Sequence, residues 1–359
     1  MKKLNLAIIG QGRSGKNIHG LHLNSEHNKH FNVKYVVERD DIRRERALTT
    51  YPGCKVFASH EELYAVKDEL DLVVNVSFSN EHYEVTKDLL EHGFNVLVDK
   101  PFARNRFECN DLIRIAKEKG VLLAVFQQTF FAPFFGFAYK LAKSGTLGEI
   151  KQINIRYNNF ARRWDWQTLQ KKMGGSIYNT GPHPIGMALG FLDFDEQAKV
   201  VYSMLDKALT CGDGEDVAKI LITAPNKPLI DVEMHSNDPY TDYNLKIMGT
   251  KGCFKCNTGS YYKMKYIIEG ENPEQPVVEG FLADENREPI YCREKLIAHE
   301  EEGDFDGDAF GSGTARLYED IYNVLTGKKK ELYVTAEMAR DIIGVIETCH
   351  AQNPLPRKF

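Results

Sequence analysis

A single histidine is enclosed by glycines and prolines in the stretch GGSIYNTGPHPIG, which covers residues 174–186. His183 lies between Pro182 and Pro184, four residues after Asn179. An imidazole exchanges a proton near neutral pH, so a histidine restrained in this way is a candidate general base. The stretch is also consistent with an elaborate turn, and the choice depends on what the first third of the chain binds.

A lysine follows the predicted fifth strand, in the sequence Asp99-Lys100-Pro101-Phe102. Ligands of open α/β sheets bind at the carboxyl ends of strands, where Lys100 would lie. Pro101 fixes the turn and restricts the residue before it to an extended conformation. The alternative is a surface lysine at the start of a loop.

The sequence GQGRSG at residues 10–15 has the G-x-G-x-x-G spacing, directly after a strand and at the start of a helix. Gly10 permits a tight turn, Gly12 lets the backbone approach a pyrophosphate, and Gly15 lets helix and strand pack closely. Unpaired N–H groups at the start of a helix bind phosphate. We therefore predict a dinucleotide site that includes Arg13 and Ser14; the alternative is a turn that needs glycine for packing alone.

The cofactor preference depends on two adjacent residues. Glu38 ends the second predicted strand. Its separation from Gly15 is close to the ~20 residues at which a ribose-binding acid is expected. A carboxylate there accepts hydrogen bonds from both ribose hydroxyls and repels a 2′-phosphate, which favours NAD. Arg39 is next to it, and an arginine can accommodate NADP. We expect NAD.

Composition limits the class of protein. The length of 359 residues is typical of two domains. The net charge of −5 does not indicate the basic surface that nucleic-acid binding requires. Apolar runs are shorter than the ~20 residues that a membrane span needs, and the apolar stretch in MKKLNLAIIG is too short for a signal peptide. Seven scattered cysteines form no disulfide framework, and Cys253-x-x-Cys256 reads as part of a strand. We expect a cytoplasmic protein without a metal site, acting on a small molecule as a homo-oligomer.

The pattern of elements predicts two domains. Residues 1–126 alternate nearly continuous apolar strands with helices, which indicates an α/β Rossmann domain with a doubly wound parallel sheet. Residues 127–359 contain strand-like segments between turn clusters from 199 to 268 and helical patterns at 315–325 and 336–350. This predicts an α+β domain with a large, mainly antiparallel sheet, for substrate binding and oligomerisation.

Taken in order, the motifs resemble those of the family of glucose–fructose oxidoreductases and inositol dehydrogenases over essentially the whole chain. Besides the glycine loop they include SFSNEHYE (77–84), VDKP (98–101), GTLGEI (145–150), GGSIYNTGPHPI (174–185) and VTAEMARDIIGVIE (334–347). The resemblance implies hydride transfer between a secondary ring hydroxyl of a sugar, glycoside or cyclitol and a nicotinamide cofactor. His183 would act as base and Lys100 would stabilise the alkoxide.

The resemblance also implies further site residues. The family's cofactor contacts map onto Ser77, Phe78, Asn80, His82 and Asp99, where Asp99 replaces the usual glutamate and Phe78 a common proline. His82 is alternatively a helix cap. Asn179 replaces the usual aspartate, and it can hold substrate but take no proton. Substrate contacts are expected from three residues of RRWDWQ: Trp164, Asp165 and Trp166.

Three functions stay open at this stage. The first is a dehydrogenase that acts on a secondary ring hydroxyl of a sugar or glycoside, and in its most specific form it oxidises C3 of glucosides with a retained cofactor. The second is an inositol or simple sugar dehydrogenase with exchangeable NAD, and the third is a non-catalytic dinucleotide-binding regulator. The phenylalanines of residues 130–137 are interpreted as core or subunit contact rather than as a substrate cleft, and DFDGD (304–308) lacks the glycine and glutamate of a calcium loop.

Overall fold

The structure is a computed structural model that describes residues 3–259 and 261–359. The first of its two sheets is parallel, and its strand order is β3-β2-β1-β4-β5-β6. The strands β4, β5 and β6 are buried along their whole length because helices cover the sheet from both sides, as the nearly continuous apolar runs predicted, whereas the edge strand β3 is partly exposed. Their bounds are β1 (Leu4–Ile9), β2 (Phe31–Val37), β3 (Lys55–Phe57), β4 (Leu72–Asn75), β5 (Val96–Val98) and β6 (Leu123–Val125).

The helices of this sheet begin and end at residues with a local reason to be there. Asp40 and Asn105 accept N–H bonds at the starts of two of them, and Gly120 ends one at φ +66°. The α-helices are α1 (Gly20–Leu23), α2 (Asp41–Thr50), α3 (His82–Glu91) and α4 (Arg106–Lys119). A π-helical turn (Gly15–His19) precedes α1, and 3-10 turns cover His60–Glu69 and Ser79–Glu81.

The second sheet has eight strands in the order β14-β13-β12-β11-β7-β10-β9-β8. Its strands are β7 (Ile150–Arg156), β8 (Lys199–Asp206), β9 (Val217–Thr223), β10 (Leu229–His235), β11 (Leu245–Gly249), β12 (Gly252–Cys256), β13 (Tyr261–Tyr266) and β14 (His299–Asp304). The accompanying helices are α5 (Pro133–Ser144), α6 (Ser176–Asn179), α7 (Pro182–Phe191), α8 (Ser312–Leu325) and α9 (Ala336–Gln352). Short 3-10 turns cover Gln128–Phe131, Trp166–Thr168 and Gln170–Lys172.

The predicted fold class is confirmed, with one parallel pair inside the second sheet. β7 lies between β10 and β11 and is parallel to β10, whereas the other neighbours are antiparallel. β7 was absent from the sequence-based prediction, which placed the strand-like segments between residues 199 and 268. The strand interpretation of Cys253 and Cys256 is correct, since both lie in β12.

The second sheet is apolar on one face and charged on the other. Its apolar face packs against α7 and the neighbouring helices, and the buried Phe130, Phe134 and Phe135 belong to the same core. On the charged face Arg156 donates to Asp231 at 2.8 Å and pairs with Glu233, while both side chains of the Arg156–Asp231 pair are about nine-tenths buried. At the sheet's edge β14 carries three successive glutamates, residues 300–302, of which two pair with lysines of β13.

Helix α8 packs against the parallel sheet of the first domain, although it lies near the end of the chain. Leu317, Tyr318 and Ile321 pack in one core cluster with strand residues such as Leu6 and Ile8. The helix begins at Ser312, earlier than the pattern at 315–325 predicted. The division of the chain at residue 126 stays a prediction, but α8 shows that the two segments share a core. Across the described residues, none of the helices has the length and apolarity to cross a membrane.

Candidate active site

The loop after β1 needs its glycines for different physical reasons. Gly10 has φ +96°, and a Cβ there would lie 2.4 Å from the Val76 carbonyl oxygen. A Cβ on Gly15 would lie 2.1 Å from the Gly10 oxygen, so this glycine allows the loop to fold back on itself. A Cβ on Gly12 would meet nothing within 4 Å, because this residue faces open space. The loop therefore leaves bare backbone beside a cavity, as a pyrophosphate requires.

Two polar atoms near this loop fit a bound dinucleotide. Ser14 Oγ and Ser77 Oγ belong to cavity-lining residues, are buried, and have no hydrogen-bond partner within residues 3–259 and 261–359. Buried polar atoms are normally paired, so unpaired ones beside a cavity indicate a ligand or ordered water. Phosphate and ribose oxygens suit both hydroxyls. The residues present thus fit the cofactor that the fold implies.

Glu38 lies at the carboxyl end of β2, and its carboxylate is turned into the glycine loop. Its two carboxylate oxygens accept from the Gln11 N–H at 2.7 Å and from the Asp40 N–H at 3.1 Å. Arg39 is largely exposed, and its guanidinium pairs with Glu81 at 3.2 Å. The acid is therefore fixed at the ribose end of the site, and the neighbouring arginine already has a carboxylate partner.

A cavity of about 810 Å³ extends from this ribose end to the second sheet. Its size lies within the range of cofactor and substrate sites. Most of the predicted site residues line it: Gly10, Gly12, Arg13, Ser14, Glu38, Arg39, Ser77, Phe78, His82, Asp99, Lys100, Asp165, Trp166, Asn179 and His183. Gly15 and Asn80 lie behind the lining.

Trp164 lies outside the cavity, contrary to the sequence-based prediction. Its side chain is 79% exposed, because the loop after β7 turns it toward solvent while Trp166 turns inward. Trp166 contacts Phe78 edge to face, with ring centroids 5.0 Å apart. Asp165 accepts both guanidinium bonds of Arg163, at 2.7 and 3.2 Å. The pair Phe78–Trp166 joins the first and second halves of the chain across the cavity wall.

Lys100 reaches the cavity from the end of β5. Its Nζ donates to the main-chain carbonyl of Asn179 at 2.7 Å. Burial lowers the pKa of Lys100, and the charges of Arg13 and Arg163 lower it further, while Asp99 acts in the opposite direction. The contact with Asn179 connects the two halves of the chain at the point where both predicted catalytic groups lie.

His183 is the second residue of α7 and is 8% exposed. Its Nδ1 lies 2.8 Å from the hydroxyl of Thr129, which is also buried. Burial, and then the charge of Lys100, lower the pKa of His183 to about 3. The imidazole is therefore neutral at physiological pH, with Nδ1 bound to a hydroxyl and the ring at the cavity wall.

Two other histidines support the lysine turn. The His82 Nδ1 lies 2.7 Å from the Pro101 carbonyl oxygen and its Nε2 lies 3.2 Å from that of Ser77, so the ring joins two loops. His82 is the first residue of α3, and the N-cap of that helix is Glu81, so the histidine does not cap the helix that begins there. Burial alone would raise the pKa of Asp99, but His19, whose Nε2 lies 4.0 Å from it, and Lys100 hold this pKa below its usual range.

Several residues of the site were missed at the sequence level. Thr129, the hydrogen-bond partner of His183, follows β6, so the rule that places ligands at carboxyl ends of strands could have found it. Further residues line the cavity from strands and loops of the second sheet, whose arrangement the sequence pattern does not reveal: Tyr157, Asn159, Gln167, His235 and Ser236.

Comparison with known proteins agrees with this geometry. Residues 4–127 match the model described as "Oxidoreductase family, NAD-binding Rossmann fold", and residues 135–255 match the "GFO/IDH/MocA C-terminal domain". The chain belongs to the Gfo/Idh/MocA oxidoreductase family. The predicted resemblance to glucose–fructose oxidoreductases and inositol dehydrogenases is thereby confirmed.

Members of the Gfo/Idh/MocA family similar to this chain differ in their named activities. An oxidoreductase of Schizosaccharomyces pombe is 32% identical over 53% of this chain and 52% of its own length. The scyllo-inositol 2-dehydrogenase (NADP⁺) of Bacillus subtilis is 27% identical over 52% of this chain and 51% of its own. The chain thus spans about half the length of these two relatives. The solved structure of GenD2 from gentamicin A biosynthesis, in complex with NAD, shares the fold with a TM-score of 0.77 and 19% identity, over 100% of this chain and 97% of that one.

Proposed function

We propose that this chain is a dehydrogenase that moves a hydride between a secondary ring hydroxyl of a sugar or glycoside and a nicotinamide cofactor. The observation that carries the proposal is that Lys100 and His183, from opposite halves of the chain, line one cavity with the glycine loop. The named inositol dehydrogenase among the relatives supports a polyhydroxylated substrate. In its most specific form the substrate is a glucoside, oxidised at C3.

His183 would remove the hydroxyl proton of the substrate. Because burial and the charge of Lys100 lower its pKa, the ring is neutral when the reaction begins, but it is a weaker base than an unperturbed imidazole. Its Nδ1 partner is the Thr129 hydroxyl and not a carboxylate, so the imidazolium formed has little stabilisation. We therefore expect His183 to release the proton to solvent water and to return to the neutral form within the same turnover.

Lys100 would stabilise the negative charge that develops on the substrate oxygen. Its ammonium is held by a main-chain carbonyl, which fixes its position without neutralising its charge. Asn179 would hold the substrate or a water by its side-chain amide. Trp166 and Asp165 would contact the sugar ring, in line with the aromatic and polar groups that sugar sites use.

The cofactor we propose is NAD, retained between turnovers in the most specific form of the proposal. When bound, the dinucleotide supplies the hydride acceptor. Glu38 in the ribose end of the cavity would repel a 2′-phosphate, and Arg39 is paired with Glu81. The cytoplasmic location and the homo-oligomer expected from the sequence belong to the same proposal, and light scattering of the purified chain measures the latter.

The first experiment records the near-ultraviolet absorbance of the purified protein, followed by a screen of glucosides, inositols and simple sugars for oxidation. Bound nicotinamide with glucoside turnover supports the retained-cofactor form. Turnover only with added NAD supports an inositol or sugar dehydrogenase. Nucleotide binding without any turnover would identify a regulator and overturn the enzymatic proposal.

Variants of the two central residues test the mechanism. His183→Ala removes the base, and we expect kcat to fall on the order of 10²–10⁴-fold. Lys100→Met removes the cation, with an expected loss on the order of 10²-fold or more. Trp166→Ala is expected to raise the substrate KM, while the exposed Trp164→Ala serves as its matched control. Rates near those of the wild type for both His183→Ala and Lys100→Met contradict the mechanism.

A further inference from the structure

Glu215, in the loop between β8 and β9, is a buried carboxylate that the proposed reaction does not use. It is 2% exposed, and its Oε1 accepts from the Ile177 N–H at 2.9 Å. Its main-chain oxygen accepts from the Ser176 N–H at 2.7 Å. Burial, and then the neighbouring Asp216, raise the pKa of Glu215 to about 7, as expected for a carboxyl in a dry environment. An acid buried at this cost calls for a structural or functional reason.

The glycines before α6 leave the space that this carboxylate occupies. Gly175 has φ +110°, and a Cβ there would lie 2.3–2.5 Å from the three carboxylate atoms of Glu215. A Cβ on Gly214 would lie 2.9 Å from the Gly175 nitrogen. Gly175 therefore leaves room for the Glu215 carboxylate, whereas a Cβ on Gly174 would lie 2.6 Å from the Gln167 main-chain oxygen.

The turn that Glu215 holds ends at Asn179, whose main-chain carbonyl contacts Lys100, the proposed catalytic lysine. The four residues of α6 run from Ser176 to Asn179, and the Asn179 carbonyl accepts from Lys100 Nζ at 2.7 Å. The next carbonyl, that of Thr180, accepts from the His183 N–H at 3.1 Å. Because the partner of Lys100 is a main-chain group, its position depends on how the whole turn is held.

We propose that Glu215 is a positioning residue, whose carboxyl oxygen fixes α6 and thereby holds the Asn179 carbonyl against Lys100. The inference rests on the proposed function only for its kinetic consequence. Its structural part is that the Ile177 N–H needs the hydrogen-bond acceptor that the side chain at position 215 provides, whether that acceptor is charged or neutral. A glutamine therefore replaces Glu215 adequately, and an apolar side chain of the same volume does not.

The test compares Glu215→Gln, which keeps an acceptor oxygen, with Glu215→Met, which removes it without leaving a large cavity. Asp216→Met is the matched control, because Asp216 is a buried carboxylate in the next position that accepts from Ala208 and Leu209 and not from α6. The primary measurement is the rate of competitive acetylation of Lys100 in the full chain, followed by mass spectrometry. The exposed Lys119 provides the internal standard.

We expect Lys100 in Glu215→Met to acetylate several-fold faster than in the wild type, with no change in Glu215→Gln or Asp216→Met. In turnover, kcat of Glu215→Met should fall on the order of tenfold, with the cofactor KM within about twofold, and Glu215→Gln should restore it. Should Glu215→Met fail to fold, Glu215→Ser takes its place, since serine is too short to reach Ile177.

Equal Lys100 acetylation in folded Glu215→Met and wild type overturns the inference. An equal increase of Lys100 acetylation in Asp216→Met also overturns it, because the effect would then be a general destabilisation of this region. The inference is likewise overturned if Lys100 acetylates as fast in Glu215→Gln as in Glu215→Met. The acetylation rates need no substrate, so the two proposals fail separately. A wild type without turnover whose Lys100 still responds to Glu215→Met refutes the proposed function alone.

Discussion

Buried histidines should make this protein sensitive to mild acid. Burial lowers the pKa of His22 to about 4, of His183 to about 3 and of His350 to about 4. In the unfolded chain the same side chains titrate near ~6.5. Below that pH the unfolded state binds protons that the folded state does not, so the free energy of unfolding decreases as the pH falls toward 4.

The magnitude follows from one proton per group. Each histidine lowers the free energy of unfolding by about 1.4 kcal/mol per pH unit, which gives roughly 4 kcal/mol per unit for the three. Glu215 acts in the opposite direction, because its pKa of about 7 lies above the unfolded value and the folded state holds its proton. Glu215 restores about 1.4 kcal/mol per pH unit between pH 7 and 4.5, so these four groups together give a loss of roughly 3 kcal/mol per unit. Burial also lowers the pKa of His30 and of His82, which adds to the loss.

Urea unfolding at several values between pH 7.5 and 4.5 measures this slope, with calorimetry as a check on two-state behaviour. Two variants are expected to change the slope in opposite directions. His350→Gln removes one group that is protonated in the unfolded state but not in the folded state. The decrease in the free energy of unfolding then becomes smaller by about 1.4 kcal/mol per pH unit. Glu215→Gln removes the compensating acid, so the loss steepens by about the same amount. A free energy of unfolding that stays constant within about 1 kcal/mol from pH 6 to 4.5 refutes the reasoning.

Three further substitutions test other parts of the structure. Gly10→Ala should abolish dinucleotide binding and destabilise the fold by roughly 3 kcal/mol, because its Cβ would lie 2.4 Å from the Val76 oxygen; calorimetric titration with NAD and thermal unfolding measure both effects. Asp231→Ala should destabilise by about 3 kcal/mol, since the buried Arg156 loses a partner, and an unchanged urea midpoint would contradict this. Glu38→Ser should shift the ratio of NADP to NAD affinity toward NADP on the order of tenfold, and an unchanged ratio would disprove the role given to its carboxylate.

The first half of the fold was predictable because local patterns determine it. The nearly continuous apolar runs predicted the strands of the parallel sheet correctly, since strands buried on both faces leave little ambiguity. The glycine loop, Glu38 and Lys100 follow from the same rule about strand ends. The shared core with α8 was not predictable, because an amphipathic helix does not indicate which sheet it will cover.

In the second half of the chain, the sequence pattern identified candidate site residues but did not predict their contacts. His183 was identified from its glycines and prolines, but its partner Thr129 lies on a different element, 54 positions earlier in the chain. Asn179 drew attention for its side chain, yet its contact with Lys100 is made by the main chain, which sequence reasoning does not address. Trp164 and Trp166 have the same type and neighbourhood in sequence, and only the direction of the loop separates an exposed residue from a lining one.

The glutamates of β14 limit how copies of this protein can meet. An edge strand with free N–H and C=O groups invites another strand to pair with it, and charged side chains oppose that pairing. Glu300, Glu301 and Glu302 place acid along this edge, and Lys263 and Lys265 of β13 hold two of them in place. A second molecule is therefore discouraged from continuing the sheet edge to edge, a route by which β-rich proteins aggregate.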